Sequence, residues 1–222
     1  MERKIIQTSD GSSSVYIPLW DENYHSKHGA IQEAYHVFIK MGLDNFKDGS
    51  KLCILEMGLG TGLNCFITYL EAIKRQLSVE YVGIEGYPLE TDMIFELNHL
   101  EQLNAQNQVK VYNDIQTTHW NEGQQIDLNF HLTKKQMMFE DFSANETADL
   151  IYFDAFGARV QPELWTEEIF GKMYDALKIN GIIVTYAAKG SVRRAMQAVG
   201  LTVERLPGPP GKREMLRGRK NQ

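Results

Sequence analysis

The sequence predicts an α/β fold, a mostly parallel sheet with helices on both faces. Three observations predict it. Leu52–Asn64 reads as a buried strand, a glycine-rich turn and the start of an amphipathic helix. Further along, short apolar runs alternate with helical periodicities, the pattern of β-α-β units. Near the end, Pro207-Gly-Pro-Pro-Gly211 is a hard turn between two strands, which makes them antiparallel neighbours.

The elements follow in order. Ile5-Ile6 and Val15-Tyr-Ile17 flank Ser9-Asp-Gly-Ser12, so a small N-terminal hairpin is expected. Ala30 to Met41 reads as helix, Leu52–Glu56 as a strand. Leu63, Phe66, Ile67, Leu70 and Ile73 share one helical face. Tyr81–Glu85 is the next strand. Pro88 suits the first turn of a helix that packs through Leu89, Met93, Leu97 and Leu100. Ile126–Leu132 alternates, which predicts a half-exposed strand, with Met137–Phe139 as its partner. Ala148–Asp154 is an apolar strand ending in an acid. Pro162–Leu177 reads as a helix, Ile182–Tyr186 as a strand, and Ser191–Val199 as a helix stopped by Gly200. Leu201–Leu206 and Arg213–Leu216 are the last strands. One domain is expected over residues 1–222, with 1–50 an extension and 51–222 the core.

Composition narrows the class. No run of about 18 apolar residues spans a membrane, and the N-terminus lacks a signal-peptide core, so a cytoplasmic protein without membrane contact is expected. Cys53 and Cys65 are expected to be reduced core residues. No HxxxH or CxxC spacing suggests a metal. The net charge is −6, yet Lys189–Gln222 carries nine Lys/Arg against Glu204 and Glu214. That segment is either a solvated basic tail or a phosphate-binding face.

In an open α/β sheet the ligand sits at the carboxyl ends of the strands. Gly58, Gly60 and Gly62 let backbone approach a ligand there. Glu85 lies 25 residues beyond Gly60, the spacing at which an acid reaches ribose hydroxyls. A dinucleotide fingerprint needs glycine or alanine at 63, and the residue is Leu63. With Glu56, Glu85 and Asp154 at strand ends, the loop suits S-adenosylmethionine rather than NAD. The terminal antiparallel hairpin agrees. The expected architecture is then Rossmann-like, of the S-adenosylmethionine-dependent methyltransferase type: a mostly parallel seven-stranded sheet with a C-terminal antiparallel strand.

Several segments make the resemblance specific: Tyr24-His-Ser26, Gly29, Glu33, His36-Val-Phe38, Glu56-x-Gly-x-Gly-Thr-Gly-Leu-Asn64 and Ile84-Glu-x-Tyr-Pro-Leu89. Asp154-Ala-Phe156, Pro162-Glu-Leu-Trp165, Val192-Arg-Arg194 and Gly211-Lys-Arg-Glu-Met-Leu216 complete them. Together they resemble the methyltransferase half of the MnmC family, in a stand-alone (MnmD-like) form. The resemblance implies N-methylation of 5-aminomethyl(-2-thio)uridine at the tRNA wobble position, with the anticodon region of tRNA as partner. The family's FAD-dependent oxidase half has no room in 222 residues, so a separate oxidase or transferase would supply the aminomethyl group. The family's Asp-(Gly/Ala)-Phe-x-Pro is Asp154-Ala-Phe-Gly-Ala158 here, without the proline.

Carried onto these positions, Glu56, Gly58, Gly60, Thr61, Gly62 and Asn64 would hold the methionine end of S-adenosylmethionine. Glu85 would hold the ribose, and Asp141 with Phe142 the adenine. Asp154 would orient the acceptor amine or contact the cofactor's amino group. Tyr24, Ser26 and Glu33 would lie near the substrate base, or only cap the fold. Trp165 is either a stacking residue or core. Lys189, Arg193, Arg194, Lys212 and Arg213 are candidate phosphate contacts, unless Arg213 pairs with Glu214 or a neighbouring acid. The rival readings are a methyl or aminopropyl transferase for a small amine, an NAD-linked oxidoreductase, and a non-catalytic tRNA-binding module.

Overall fold

The computed structural model describes residues 2–221; Met1 and Gln222, the ends of the expected domain, lie outside them. β1 (Lys4–Gln7), β2 (Ser13–Ile17) and β3 (Glu22–Asn23) form a three-stranded antiparallel sheet, one strand more than the expected hairpin. α1 (Ala30–Ala34) runs directly into a π-helical stretch over Tyr35–Lys40.

The main sheet begins with β4 (Lys51–Met57), α2 (Leu63–Arg75) and β5 (Ser78–Glu85). Then come the short helices α3 (Thr91–Phe95) and α4 (His99–Gln102), α5 (Val109–Thr117), and strands β6 (Glu122–Asp127) and β7 (Phe130–Gln136). β8 (Ala148–Phe153), α6 (Glu167–Ala176), β9 (Leu177–Thr185), α7 (Gly190–Ala198), β10 (Leu201–Pro207) and β11 (Glu214–Lys220) complete the chain. The strand order is β10-β11-β9-β8-β4-β5-β7-β6. The five central strands are parallel; β11 and β10 at one edge, and β6 at the other, are antiparallel to their neighbours. The sheet therefore has eight strands, and β6 is the one beyond the expected seven.

Successive residues of the central strands serve opposite faces, as the period of two requires. Ile54, Tyr81, Leu150 and Tyr152 join Phe38 and Phe66 in one buried cluster. Leu55, Ile84, Ile151 and Phe153 join Phe170 and Met173 in the other. Both faces of the sheet are covered, which explains the near-continuous apolar runs.

Four expectations need correction. Pro88 does not start a helix. Arg3 Nη1 and Nη2 donate to Pro88 O and Tyr87 O at 3.2 and 2.9 Å, holding that segment outside the helix, which starts at Thr91. The helical pattern then breaks at Asn98, whose Oδ1 accepts from Ser13 N at 2.7 Å and whose Nδ2 donates to Gly11 O at 2.9 Å. Ile126–Leu132 is not one strand. Leu128-Asn129 is a turn with Leu128 87% exposed, so the residues on either side belong to two paired strands, β6 and β7. Met137–Phe139 pairs with neither, and leads into a 3₁₀ turn over Phe139–Asp141. Pro162–Leu177 divides into a 3₁₀ turn (Pro162–Trp165) and α6, whose first turn is capped by Thr166 Oγ1 accepting from Ile169 N.

The order reverses between β4 and β8: β5 and β7 lie beyond β4, and β9 beyond β8. A crevice opens there, at the carboxyl ends of the strands. Gly58 N and Leu59 N donate to Ile84 O at 2.9 and 3.0 Å, and Asp154 N donates to Met57 O at 2.9 Å, which ties the three strand ends together.

Candidate active site

A cavity of about 880 Å³ fills this crevice. It lies in the usual size range of small-molecule sites. Gly58, Gly60 and Asn64 line its floor, Glu85 and Asp154 stand at its strand ends, and Tyr24, Ser26, Glu33 and Lys212 close it from above.

The glycine loop is shaped for close approach. Gly58 (φ +95°) and Gly60 (φ +52°) adopt left-handed conformations, and a Cβ on Gly58 would meet Asp154 O at 2.6 Å. Glu85 Oε2 accepts from Gly60 N at 3.0 Å and Oε1 from Tyr87 N at 2.9 Å. An ionised carboxylate offers about four acceptor positions, so two remain for ligand hydroxyls.

Asn64 joins two acids. Its Nδ2 donates to Glu56 Oε1 at 2.8 Å and to Asp154 Oδ2 at 2.9 Å. Its Oδ1 is buried without a partner among the described residues, although Asn64 lines the cavity. A buried acceptor left alone is costly, and a bound ligand's N–H would satisfy it. Glu56 lies behind Asn64, fully buried and outside the cavity wall, and also accepts from Tyr81 OH at 2.8 Å. Burial pushes its carboxyl well above the ordinary range.

Asp154 is half-buried at the cavity wall. Burial, with a further contribution from the Glu33 charge, pushes its carboxyl up to about 7; the Asn64 hydrogen bond and the Lys212 charge oppose the rise. The loop after it lacks the family proline and is fixed otherwise. Tyr186 OH donates to Ala155 O at 2.7 Å, Trp165 Nε1 donates to Phe156 O at 2.8 Å, and the Phe156 ring meets Trp20 and Tyr24 edge-on at 5.5 and 5.0 Å.

Other expected site residues lie elsewhere. Thr61 is fully buried under the loop, 3.3 Å from His25 Nε2, and Gly62 begins α2 away from the cavity. Asp141 is exposed and Phe142 is buried in the core; Met138, Phe139 and Glu140 line the cavity in their place. Trp165 is a core residue, 5% exposed and edge-on to Phe153 at 5.1 Å. Lys189, Arg193, Arg194 and Arg213 lie outside the cavity wall, and among the described residues none of them pairs with an acid. Glu214 pairs with Arg205, at 3.6 Å, rather than with Arg213. Lys212 turns inward and pairs with Glu33.

Trp20, His25, Phe156 and Tyr186 also line the cavity wall; no sequence motif assigns them a site role, although His25 and Phe156 lie inside the Tyr24–Ser26 and Asp154–Phe156 segments. Tyr186 follows the carboxyl end of β9, the position that had already marked the acids. Among the described residues no group of three His, Cys, Asp or Glu is placed to hold a metal ion, and no helix is long and apolar enough to cross a membrane.

Comparisons with known proteins place the chain in a family and identify its fold. A family model described as S-adenosyl-L-methionine-dependent methyltransferase matches residues 96–221, more than half the chain. The chain is 30% identical over 217 residues to the tRNA 5-methylaminomethyl-2-thiouridine biosynthesis bifunctional protein MnmC of Leptospira borgpetersenii, covering 90% of this chain and 32% of that protein. It is 29% identical to the protein of the same name from Polaromonas naphthalenivorans, covering 98% and 36%. The chain thus spans about a third of the length of these curated relatives. A crystal structure of MNMC2 from Aquifex aeolicus superposes with a TM-score of 0.73 at 22% identity, covering 98% of this chain and 69% of that one, which shows the shared fold.

Proposed function

This chain belongs to the S-adenosyl-L-methionine-dependent methyltransferase family, and from that premise we propose that it methylates the primary amine of 5-aminomethyluridine, with or without 2-thiolation, at the wobble position of tRNA. The observation that carries the reading is the placement of Asp154. It stands at the carboxyl end of β8, in the cavity shared by Gly58 and Glu85, and beside Glu33. An acidic wall suits an amine acceptor.

S-adenosylmethionine supplies a methyl group already activated by its positive sulfur. The chain's residues have the remaining work of binding, aligning and moving a proton. The Gly58–Gly60 backbone and the free Oδ1 of Asn64 would hold the amino-acid end of the cofactor. Glu85 would accept from the ribose hydroxyls, and Met138 with Phe139 would face the adenine.

An alkylamine is largely protonated near neutrality, by analogy with a lysine pKa of about 10.4. Asp154, with its carboxyl near 7, is poised to orient the N–H groups and take the proton that must leave. Trp20 and Phe156, at the wall of the cavity, would flank the extruded base, while Lys189, Arg193, Arg194 and Arg213 remain available to phosphates.

The test is incubation with S-adenosylmethionine and tRNA carrying 5-aminomethyluridine, followed by nucleoside mass spectrometry. The expected product is 5-methylaminomethyluridine. No transfer, with S-adenosylhomocysteine still bound by the protein, would sink the reading. A parallel reaction with free 5-aminomethyluridine and simple diamines separates a tRNA acceptor from a small-molecule one.

A further inference from the structure

Lys212 enters the cavity from the turn between β10 and β11, and its ammonium is surrounded as a ligand would be. It pairs with Glu33 and lies 3.8 Å from the centroid of the Tyr186 ring. Its charge also acts on Asp154, opposing the rise in that carboxyl which Glu33 promotes. The receptor is built rather than incidental. Glu33 is 7% exposed, and its second oxygen accepts from Ser26 N at 2.9 Å. The Tyr186 ring is fixed by its hydroxyl bond to Ala155 O, on the loop that also carries Asp154. Two carboxylates and an aromatic face make a binding site for an alkylammonium, and a cation there relieves the repulsion by which Glu33 raises the Asp154 carboxyl. Lys212 itself is not locked in: its side chain is 32% exposed and hangs from a turn that includes Gly211 at φ +82°. It has a route to solvent.

We infer that Glu33, Tyr186 and Asp154 form the receptor for the acceptor's primary ammonium, and that Lys212 fills it as an internal stand-in which the acceptor displaces. The inference rests on the amine-acceptor reading and deepens it. Acceptors are selected by their ability to replace a lysine head group, so an alkylammonium enters while a neutral hydroxymethyl or an anionic group does not. Lys212 is thereby removed from the phosphate-contacting set. Its part is competitive, and losing it leaves a site that binds amines more tightly.

The test is calorimetric titration of free 5-aminomethyluridine into protein saturated with S-adenosylhomocysteine, comparing wild type with Lys212→Met and Lys212→Ala. Both variants are expected to bind the nucleoside about threefold or more tightly than wild type, as loss of a competing cation–π and ion-pair contact implies. Tyr186→Leu should weaken binding by a similar factor, while plain uridine distinguishes none of the variants. A phosphate-contacting Lys212 gives a different pattern: unchanged nucleoside binding, weaker tRNA binding and a shallower salt dependence in Lys212→Met. That pattern overturns the inference, as does the absence of measurable nucleoside binding to every form. The titration needs no turnover. Failed methyl transfer combined with tighter binding by Lys212→Met removes the tRNA reading and leaves the receptor, and the converse removes the receptor alone.

Discussion

In the proposed reaction Asp154 is the residue on which the chemistry turns, and Asn64 is the residue that donates a hydrogen bond to it. Asp154→Asn keeps the size and the contact with Asn64 but cannot take a proton. Its kcat is expected to fall about 100-fold with folding intact, at the lower end of what general acid–base groups contribute. Because the carboxyl of Asp154 is raised to about 7, kcat/KM should climb with pH through that value and then level or climb further as the amine deprotonates. The Asn64 hydrogen bond favours the charged form, so Asn64→Ala should move this limb to higher pH. An unmoved limb in that variant, measured over pH 6–9 as a chosen range of about three units, would detach Asp154 from the profile. Glu56 gives the contrasting result. It is buried behind Asn64 with its carboxyl pushed well above the ordinary range, so it acts as a support. Glu56→Gln should keep affinity for S-adenosylhomocysteine to within about threefold, since a neutral amide replaces a group that burial already disfavours as an ion; a larger loss by calorimetry would place Glu56 in contact with the cofactor.

At the scale of elements, the short turn after β7 would decide, in the proposed reaction, where the adenine rests. Met138 lines the cavity and Asp141 is exposed away from it. Met138→Ala should weaken S-adenosylhomocysteine about threefold or more by loss of apolar contact, and Asp141→Ala should leave it unchanged; the reverse order in a titration would restore Asp141 to the site. This turn also shows what the sequence could carry. The strands β4, β5 and β8, the helix α2 and the loop Gly58–Gly62 were legible, because apolar runs ending in acids and a left-handed glycine turn have few other uses. The β6–β7 hairpin was not. Leu128 at its tip mimics the alternation of a continuous strand, although it is 87% exposed. α5 was invisible for another reason: Val109, Val111, Asn113, Asp114 and Thr117 are weak helix formers, and the helix holds through Tyr112 and Ile115 in the core. The place of Lys212 was not legible, because charge along a sequence does not say which way a side chain points. Its sequence neighbours are basic, and only the tertiary fold brings Glu33 and Tyr186 to it.

At the scale of the molecule, the N-terminal sheet is one wall of the site, and two histidines couple its attachment to pH. His25 lies between Ser14 Oγ, 3.0 Å from Nδ1, and Thr61 Oγ1 of the glycine loop, 3.3 Å from Nε2. His99, on α4, places Nε2 3.1 Å from Ser13 O, and the two rings are 6.1 Å apart, edge to face. Burial above all, with the His99 charge adding to it, brings the His25 pKa down from 6.5 to about 3; burial alone brings His99 down to about 4. Both are neutral in the folded protein near neutrality, whereas the unfolded chain binds their protons below about 6.5. The unfolded state therefore gains protons first, so stability falls as pH drops from 6.5 toward 4. For His99 the full shift corresponds to a loss on the order of 3 kcal/mol. Asp154 acts with the opposite sign. Its raised carboxyl contributes stability that is complete below 3.8 and is lost as pH rises through about 7. The two effects overlap in the same window, so the total curve cannot assign either. A difference can. His99→Gln removes one buried imidazole at the sheet–helix contact without touching Asp154. Urea-melt stabilities of wild type and His99→Gln, measured from pH 7 down to 4, are expected to converge as the wild type alone loses the His99 contribution. Parallel curves would show that His99 does not tie the N-terminal sheet to the state of protonation.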